Sequence, residues 1–266
     1  NTEGTGKLVA IAAGGALADT LSPGPAELVF DTTPFYAESG GQAGDHGEIV
    51  FEDGARFIVR DVQKRAGDVH VHIGELVSGA AKTGATAQLH VDAVRRKAVM
   101  ANHSATHLMH AALRKVLGEH VTQKGSLVEA DRLRFDFSHG GPLSAAEIEA
   151  VENEVNAQIR ANLPTGIQVT SPEKAIEAGA LALFGEKYGD EVRVLSMGTG
   201  DDRRYSVELC GGTHVERSGD IAVFVITSES GVSAGVRRIE AATGAEALDW
   251  LKGRAQIGAD IADSLK

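Results

Sequence analysis

Four side chains suited to metal binding occur as two pairs in distant parts of the chain. The segment NHSATHLMH contains His103 and His107, and the segment ELCGGTHVE contains Cys210 and His214. Residues four positions apart on a helix share one face, with about 5–6 Å between β-carbons, so the first pair can bind one ion. Cys210 ends a predicted strand and His214 follows a glycine turn, so both can face one point. Most helical histidine pairs bind nothing, but the second pair favours a shared site.

The donor set of three imidazoles and one thiol favours zinc. Such ligands suit tetrahedral Zn²⁺, whereas Cu(I) prefers more sulfur and Mg²⁺ or Ca²⁺ prefer carboxylates. A zinc protease is excluded, because its helix carries a glutamate directly after the first histidine and here Ser104 follows His103. His110 lies near the same helix face and is either a spare ligand or a surface residue. Catalytic and purely structural zinc both stay open, since four protein ligands leave no free position unless one is displaced.

Composition indicates a globular chain of roughly two domains. The 266 residues are 42% apolar and 24% charged, and no apolar run approaches the roughly 18–20 residues that a membrane span needs. The chain has one cysteine, which rules out an internal disulfide and favours a reducing compartment, so we expect a cytoplasmic protein. The N-terminus shows no signal-peptide pattern. Because the first residue is not methionine, we expect a fragment of a longer protein.

Charge is unevenly distributed along the chain. The formal net charge of −11 argues against a generic nucleic-acid binder. Residues 94–134, however, carry more basic than acidic side chains and include the first histidine pair. The basic residues there are Arg95, Arg96, Lys97, Arg114, Lys115, Lys124, Arg132 and Arg134. This stretch is either a solvated helix face or a docking site for a polyanion beside the histidines.

The first third of the chain predicts short strands. Apolar or alternating segments between residues 7 and 92 are separated by Gly, Pro and Asp. Short strands at this spacing indicate a small antiparallel β-barrel. His70 and His72 fall on the same face of one strand. We interpret them as solvent-facing rather than as a metal pair, because no third ligand is evident.

After residue 92 the pattern changes to mixed helices and strands. This mixture predicts an α+β domain with helices packed against one sheet. Gly118 marks the end of the first helix. The second helix should begin at a Ser144–Glu147 capping box. The third should begin at Ser171 and Pro172, and its pattern extends to residue 185. From Gly244 the chain turns helical again, with a weak apolar heptad trace that is too short to establish a coiled coil.

Several segments resemble the alanyl-tRNA synthetase family. NHSATHLMHAAL, QKGSLV, LRFDFSH, VELCGGTH and GVRRIEA resemble its editing region, and TPFYAESGGQAGDHGEI resembles the segment just before that region. The resemblance covers nearly the whole chain in order. It implies an α+β protein with a small antiparallel β-barrel domain at 1–92, a zinc-dependent editing (deacylase) domain at 93–243 and a C-terminal helix at 244–266 that starts a dimerisation region.

The resemblance also implies an activity and a ligand set. It implies Zn²⁺ held by His103, His107, Cys210 and His214, and hydrolysis of Ser-tRNA(Ala) and Gly-tRNA(Ala) at the ester to the terminal adenosine. An alanine pocket cannot strongly reject glycine, because one methyl group is worth only about 1–3 kcal/mol, so a second hydrolytic site is the physical remedy. Gln123 matches the family position lining the pocket, and we predict a catalytic group of Gln123, Cys210 and His103.

Further residues are predicted to contact tRNA(Ala) or the amino acid. Thr122 and Ser126 either bond a serine hydroxyl or satisfy backbone groups at a strand start. The remaining candidates, for contacts with the tRNA backbone and acceptor end, are Arg95, Arg96, Lys97, Lys124, Arg237, Gly40 and Gly41. A tight turn is the alternative for the two glycines. Arg238, next to Arg237 on a predicted strand, should face the opposite way.

Three alternatives stay open. The chain is either part of a synthetase, with a homodimer formed through the C-terminal region, or a free-standing protein of the same family that edits in trans. A non-catalytic, zinc-stabilised tRNA-binding module is the alternative of another class. The related threonyl-tRNA synthetase editing domain shares the ligand pattern, but the barrel segment and GVRRIEA argue against it. We find none of the class II motifs that bind ATP and alanine, so we do not expect this piece to charge tRNA.

Overall fold

A computed structural model describes residues 1–181, 189–198 and 205–265. The chain divides into two compact units, Asn1–Lys97 and Ala98–Lys266, and the division falls inside the long helix α1 (Ala93–Leu117). The domain limits 1–92, 93–243 and 244–266 stay a prediction. Within the described residues, no helix combines the length and apolar character that crossing a membrane requires.

The first unit is built from nine strands. They are β1 (Glu3–Ala13), β2 (Ala16–Ala18), β3 (Thr20–Leu21), β4 (Gly24–Phe30), β5 (Gly47–Phe51), β6 (Arg56–Arg65), β7 (Val69–Ser78), β8 (Ala81–Lys82) and β9 (Thr86–Val91). Six of them pair antiparallel in the order β1-β4-β7-β6-β5-β9, and β9 pairs again with β1. This closed ring confirms the predicted small antiparallel barrel.

Alternating side chains fill the barrel. Leu28, Ile49, Phe57 and Leu89 are fully buried and belong to one apolar core. Pairing registers shift within β1 and β6, and such bulges bend strands enough to close a ring. Gly74 is required where β7 pairs with β6 beside a register shift, because a β-carbon there would lie 1.9 Å from the carbonyl oxygen of Ile58.

His72 corrects one expectation from the sequence. We predicted a solvent-facing side chain, but His72 is fully buried between the edges of Phe30 and Phe35. Its Nδ1 lies 3.1 Å from the Leu28 carbonyl oxygen, and its Nε2 lies 2.8 Å from Thr33 Oγ1. Both ring nitrogens therefore have partners, which is what allows a polar ring to occupy the barrel interior.

Helix α1 has the predicted limits. The Asp92 carboxylate accepts the backbone N–H groups of Val94 and Arg95, each at 3.0 Å, and so caps the first turn. The helix ends at Leu117, and Gly118 has φ +118°, a conformation that favours glycine. Arg114 donates to the carbonyl oxygens of Glu119 and Val121, which fixes the chain direction after the helix.

The second unit contains two sheets among its described residues, not the single predicted one. The strands are β10 (Gln123–Val128), β11 (Leu133–Ser138), β12 (Gly166–Thr170), β13 (Val192–Met197), β14 (Ser206–Leu209), β15 (Phe224–Ser233) and β16 (Val236–Thr243). One sheet has the order β10-β11-β16-β15 and the other β12-β13-β14. The prediction failed because strand patterns identify strands but carry no information about which strands pair.

The other helices begin at the predicted signals. Helix α2 (Ala145–Ala161) starts with the Ser144–Glu147 capping box, and α3 (Pro172–Glu177) starts with Ser171 as its N-cap. The prediction that α3 continues to residue 185 is wrong for residues 178–181, because the helix ends at Glu177 and Gly179 has φ +84°, a conformation that leaves the helix. Residues 182–185 lie outside the described part of the chain. A 3₁₀ turn covers Ser218–Ile221, and α4 covers Gly244–Ser264.

Candidate metal centre

Helix α1 presents its two histidines from a buried position. Asn102, just before His103, is held by three hydrogen bonds: its amide donates to the carbonyl oxygens of Glu129 and Ala130, at 2.9 and 3.1 Å, and its oxygen accepts from Thr243 Oγ1 at 2.7 Å. These contacts fix the rotation of the helix against the hairpin of β10 and β11 and the end of β16.

The loop after β14 presents the second pair. The Cys210 backbone N–H donates to the Arg193 carbonyl oxygen at 3.0 Å, and the Arg193 guanidinium donates to the Gly212 carbonyl oxygen at 2.7 Å. The Gly212 N–H lies 3.4 Å from Cys210 Sγ, a contact that stabilises a thiolate. The glycine segment therefore turns the chain so that His214 comes back toward Cys210.

The structure brings the four predicted ligands together. One ligand atom from each of His103, His107, Cys210 and His214 lies within 4.8 Å of the others. Cys210 Sγ is 3.4 Å from His103 Nε2 and 3.2 Å from His214 Nε2. The His103 ring stacks on the His107 ring with centroids 5.2 Å apart. The three histidines are buried and Cys210 is half-buried.

Geometry and chemistry fit a tetrahedral metal site. Bonds of 2.0–2.3 Å from zinc to nitrogen and sulfur place neighbouring ligand atoms roughly 3.3–3.8 Å apart. The two contacts of Cys210 Sγ, at 3.4 and 3.2 Å, lie close to this range. His107 Nε2 is buried without a hydrogen-bond partner, as expected for a nitrogen whose partner is a metal ion. This group of residues could bind a metal, and its donor set is consistent with zinc.

Glu208 belongs to the site, and sequence reasoning missed it. Its side chain is 3% exposed, with Oε2 2.9 Å from His107 Nδ1 and Oε1 3.0 Å from His110 Nδ1. Glu208 pairs with Leu195, whose side chain belongs to the core that includes α1. Side chains two residues apart on a strand lie on the same face, so the position of Glu208 two residues before Cys210 is the sequence signal that could have identified it.

Ser104 forms a second buried contact outside the ligand set. Its Oγ lies 3.2 Å from His214 Nδ1 and accepts the Val215 backbone N–H at 3.1 Å. In the sequence, Ser104 served only to exclude a zinc protease. In the structure it joins α1 to the loop that carries His214.

Charge interactions shift the pKa values of the cluster. Burial alone would raise the pKa of the Cys210 thiol, but His103 and His107 lower it well below its usual value. Burial would lower the pKa of His107, but the Glu208 carboxylate and the Cys210 thiolate raise it to about 10. Burial, followed by the charge of His103, lowers the pKa of His214 to about 3. The thiolate, which is the metal-binding form, is therefore favoured.

His110 is neither a spare ligand nor a surface residue. It is buried, its Nδ1 contacts Glu208, and its ring lies 5.2 Å from the Phe135 ring. His110 lies three residues after His107, which places it near the helix face of the metal ligands. Its contact with Glu208, however, turns its ring away from them.

A bulge places Gln123 and Ser126 on the same face of the larger sheet. Gln123 pairs with Phe137 and Ser126 pairs with Phe135, while the register shifts between Gln123 and Gly125. Directly paired residues project to the same face, and this face carries the Phe135 ring that contacts His110 on α1. A regular strand would send residues three apart to opposite faces. The two predicted pocket residues therefore share the face that packs toward the histidine helix.

The polar groups of Thr122 are used in contacts within the protein. Its hydroxyl lies 2.9 Å from Ser138 Oγ, and its backbone N–H donates to the same oxygen. Ser138 Oγ in turn donates to the His120 carbonyl oxygen. These contacts match the alternative in which Thr122 satisfies groups at a strand start.

The two neighbouring arginines on β16 face opposite ways, as predicted. Arg237 pairs with Phe137 across the sheet, and Arg238 pairs with Asp136. Arg238 donates to both Asp136 carboxylate oxygens, at 2.6 and 2.8 Å, which indicates a structural role. Arg237 donates to both oxygens of Glu229 and is 15% exposed, so its charge is already balanced. Its predicted contact with tRNA stays a prediction.

Arg96 corrects a second expectation. We predicted a contact with tRNA phosphates, but its side chain is 8% exposed and forms a two-pronged ion pair with Asp45, whose side chain is 2% exposed. Its guanidinium also donates to the Pro34 carbonyl oxygen. Arg96 therefore anchors the start of α1 within the first unit. Arg95 donates to the Gly44 carbonyl oxygen at 2.9 Å.

Three of the other basic residues of 94–134 lie against acidic side chains. Lys115 contacts Glu154 at 2.7 Å, Arg132 contacts Glu129 and Glu240, and Arg134 lies 3.9 Å from Asp136. Acidic side chains from outside the stretch therefore offset part of its charge excess. Lys97 and Lys124 have exposed side chains, and their predicted tRNA contacts stay open.

Gly40 and Gly41 form a tight turn. Ser39 and Gln42 exchange backbone hydrogen bonds, and the two glycines between them have φ of +59° and +85°. Positive φ at both central residues is typical of the two-residue hairpin turn that favours glycine. The turn accounts for both glycines without a ligand.

Comparisons with known proteins identify the class to which this fold and site belong. A family profile described as "tRNA synthetases class II (A)" matches residues 1–95. A second, described as "Threonyl and Alanyl tRNA synthetase second additional domain", matches residues 192–240, which include Glu208, Cys210 and His214. The chain thus combines parts of a class II aminoacyl-tRNA synthetase.

Similar individual proteins show which aminoacyl-tRNA synthetase family the chain belongs to. The chain is 80% identical over its whole length to an alanine–tRNA ligase of Hyphomonas neptunium, and it covers 30% of that protein. It is 57% identical over its whole length to one of Sphingopyxis alaskensis, also covering 30%, and 59% identical over 92% of its length to one of Saccharophagus degradans, covering 27%. The chain belongs to the alanine–tRNA ligase family, and it spans about 30% of the length of the curated relatives it matches.

Proposed function

We propose that the chain is the editing part of an alanine–tRNA ligase and hydrolyses mischarged Ser-tRNA(Ala) and Gly-tRNA(Ala). The observation that carries this proposal is the cluster of three histidines and one cysteine within 4.8 Å, formed by α1 and the loop after β14. The match to ligases that name alanine as their amino acid supports tRNA(Ala) as the partner.

The chemistry of alanine explains why such a ligase needs a second site. A pocket for alanine excludes larger side chains by contact, but glycine fits, and the missing methyl group lowers its binding by only about 1–3 kcal/mol. Serine adds a single hydroxyl. Hydrolysis after charging corrects both errors: water attacks the ester carbonyl carbon, the bond to the ribose oxygen breaks, and that oxygen takes a proton.

The protein residues of this site would bind and orient the ester. His103, His107, His214 and Cys210 would hold zinc, and bound zinc would supply a positive charge that orients and polarises the ester carbonyl. Gln123 and Ser126 share the sheet face that packs toward α1. We propose that the Gln123 amide bonds the substrate. Ser126 is the better candidate than Thr122 for a serine hydroxyl, because the Thr122 hydroxyl already contacts Ser138.

Two wider features belong to the same proposal. The single cysteine supports a reducing, cytoplasmic location. A homodimer through the C-terminal region of the parent protein is supported by exposed apolar side chains on α4, including Leu251, Ile257 and Ile261.

Single-turnover deacylation tests the activity. The zinc-loaded chain should release serine from Ser-tRNA(Ala) and glycine from Gly-tRNA(Ala) much faster than alanine from Ala-tRNA(Ala). Cys210→Ala should slow the release of serine by at least about 100-fold, as expected when an electrostatic contributor to the transition state is lost. Thr106→Ala is the matched control, because the Thr106 hydroxyl donates to the Asn102 carbonyl oxygen within α1.

The outcomes separate the competing functions. Binding of tRNA(Ala) by zinc-loaded protein without deacylation would indicate a non-catalytic module and overturn the proposal. Faster hydrolysis of Ser-tRNA(Thr) than of Ser-tRNA(Ala) would assign the site to the threonine system. A Cys210→Ala variant that keeps its fold and full activity would exclude the cluster from the chemistry.

A further inference from the structure

Two cluster histidines have a protein partner on the ring nitrogen that faces away from the cluster. Glu208 contacts Nδ1 of His107, and Ser104 contacts Nδ1 of His214. We propose that Glu208 and Ser104 are positioning residues, which hold both rings in the tautomer that leaves Nε2 free to bind a metal. This inference rests on the proposed metal centre and deepens it, because neither residue is a ligand.

The contact of Glu208 with His107 determines which ring nitrogen carries the proton. An ionised carboxylate can only accept hydrogen bonds, so His107 Nδ1, at 2.9 Å from Oε2, must donate. A histidine that binds a metal is neutral and has a single N–H, so a proton on Nδ1 leaves the lone pair of Nε2 for the metal. That nitrogen is buried without a hydrogen-bond partner, and His107 contributes one ring nitrogen to the group of four ligand atoms within 4.8 Å. The ring is thus oriented as a metal ligand.

Both carboxylate oxygens of Glu208 have hydrogen-bond partners. Its second oxygen lies 3.0 Å from His110 Nδ1 and 3.3 Å from Ser206 Oγ, so the carboxylate has donors at both oxygens. Pairing of Glu208 with Leu195 fixes the backbone below it. A role for His110 follows, since its N–H prevents the carboxylate from turning away from His107. Charge is balanced too, because one thiolate and one carboxylate offset a divalent cation.

Ser104 orients the ring of His214, as Glu208 orients the ring of His107. His214 Nε2 faces Cys210 Sγ at 3.2 Å, which leaves Nδ1 to contact Ser104 Oγ at 3.2 Å. The hydroxyl oxygen has two lone pairs; one accepts the Val215 N–H at 3.1 Å and the other can accept from Nδ1–H. Since Val215 follows His214 directly, one hydroxyl fixes both the ring and the backbone of this ligand.

Zinc affinity of the whole chain tests the inference without relying on activity. Partners of this kind usually contribute 10–100-fold in metal affinity. Competition with a chromophoric chelator should show zinc binding weakened roughly 10–100-fold in Glu208→Gln and about 10-fold in Ser104→Ala. Glutamine replaces one acceptor oxygen by a donor, so it cannot accept from both histidines. The controls are Glu152→Gln, a half-buried carboxylate that accepts the Ile226 N–H, and Thr106→Ala on α1. Both should bind zinc as the unaltered chain does.

Long-range ¹H–¹⁵N spectra of the unaltered, zinc-loaded chain give a second reading that needs no variant. His107 and His214 should both carry the proton on Nδ1 and bind zinc through Nε2. A proton on Nε2 of either ring would overturn the inference, as would unchanged zinc affinity in folded Glu208→Gln and Ser104→Ala. Failure of the unaltered chain to bind zinc would overturn the metal centre itself. Correct tautomers without deacylation would overturn only the proposed activity.

Discussion

The buried histidine of the barrel makes the stability of the first unit depend on pH. His72 Nδ1 must donate to the Leu28 carbonyl oxygen, since that oxygen can only accept, so Nε2 accepts the Thr33 hydroxyl. The Thr33 oxygen also accepts the Phe35 N–H at 3.1 Å, which leaves it poorly placed to accept a second proton donor. Burial lowers the pKa of His72 from 6.5 to about 4, and the Leu28 contact opposes this only in part.

The sign and size of the effect follow from these two pKa values. Between pH 6.5 and 4, the unfolded chain binds a proton at His72 that the folded chain does not bind. The free energy of unfolding therefore falls as the pH falls through this window, and the contribution is complete above pH 6.5 and lost below pH 4. The difference corresponds to about 3 kcal/mol in total, and to about 2 kcal/mol between pH 7 and pH 5.

Urea unfolding followed through amide NMR signals of β4 and β7 measures this loss at pH 7 and pH 5. His72→Gln provides the comparison, because its amide offers a donor and an acceptor but does not titrate. Its stability should change between the two pH values by about 2 kcal/mol less than that of the unaltered chain. Equal pH dependence of the two proteins, or a His72 pKa above 6 in an NMR titration, would refute the reasoning.

Two further predictions concern a buried ion pair and the metal. Asp45→Asn should lower the free energy of unfolding of the first unit by about 3–5 kcal/mol, because it leaves the Arg96 charge buried without a counter-charge. The control is Glu48→Gln, which breaks the exposed pair with Arg56. In urea unfolding it should lower the free energy of unfolding by under about 1 kcal/mol. Removing zinc with a chelator should lower the thermal stability of the second unit, because zinc at 1,000 times its Kd stabilises by about 4 kcal/mol. Calorimetry should show no such difference in Cys210→Ala, and an unchanged melting temperature of the unaltered chain would count against a metal bound by this cluster.

Local signals in the sequence predicted the elements well. The limits of α1, the capping box of α2 and the start of α3 depend on residues that act on their own immediate backbone, so their effects can be read from neighbouring letters. The strands of the barrel followed from alternation for the same reason. Closure of the barrel was confirmed, whereas the split of the second unit into two sheets depends on pairing between distant strands, which local patterns do not encode.

Position in space decided which charged side chains are available. Arg96 and His72 resemble surface residues in the sequence, yet both are buried because a partner elsewhere in the first unit satisfies them: Asp45 for the first, Leu28 and Thr33 for the second. The basic stretch loses part of its excess charge in the same way. Net charge along a segment is a property of the chain, but the charge available to a ligand depends on which acidic groups fold against it.

The sequence by itself determined the kind of chemistry, because the four-residue spacing within NHSATHLMH and ELCGGTHVE singles out three imidazoles and one thiol without knowledge of where they lie in space. Only the tertiary structure decided that Cys210 and His214 come within reach of His103 and His107, about a hundred residues earlier in the chain. It alone assigned partners to Glu208 and Ser104, and it alone brought Gln123 and Ser126 to one face through a bulge. The physical reason is that ligand type is a property of single residues, whereas ring orientation and strand register arise from contacts between segments distant in sequence.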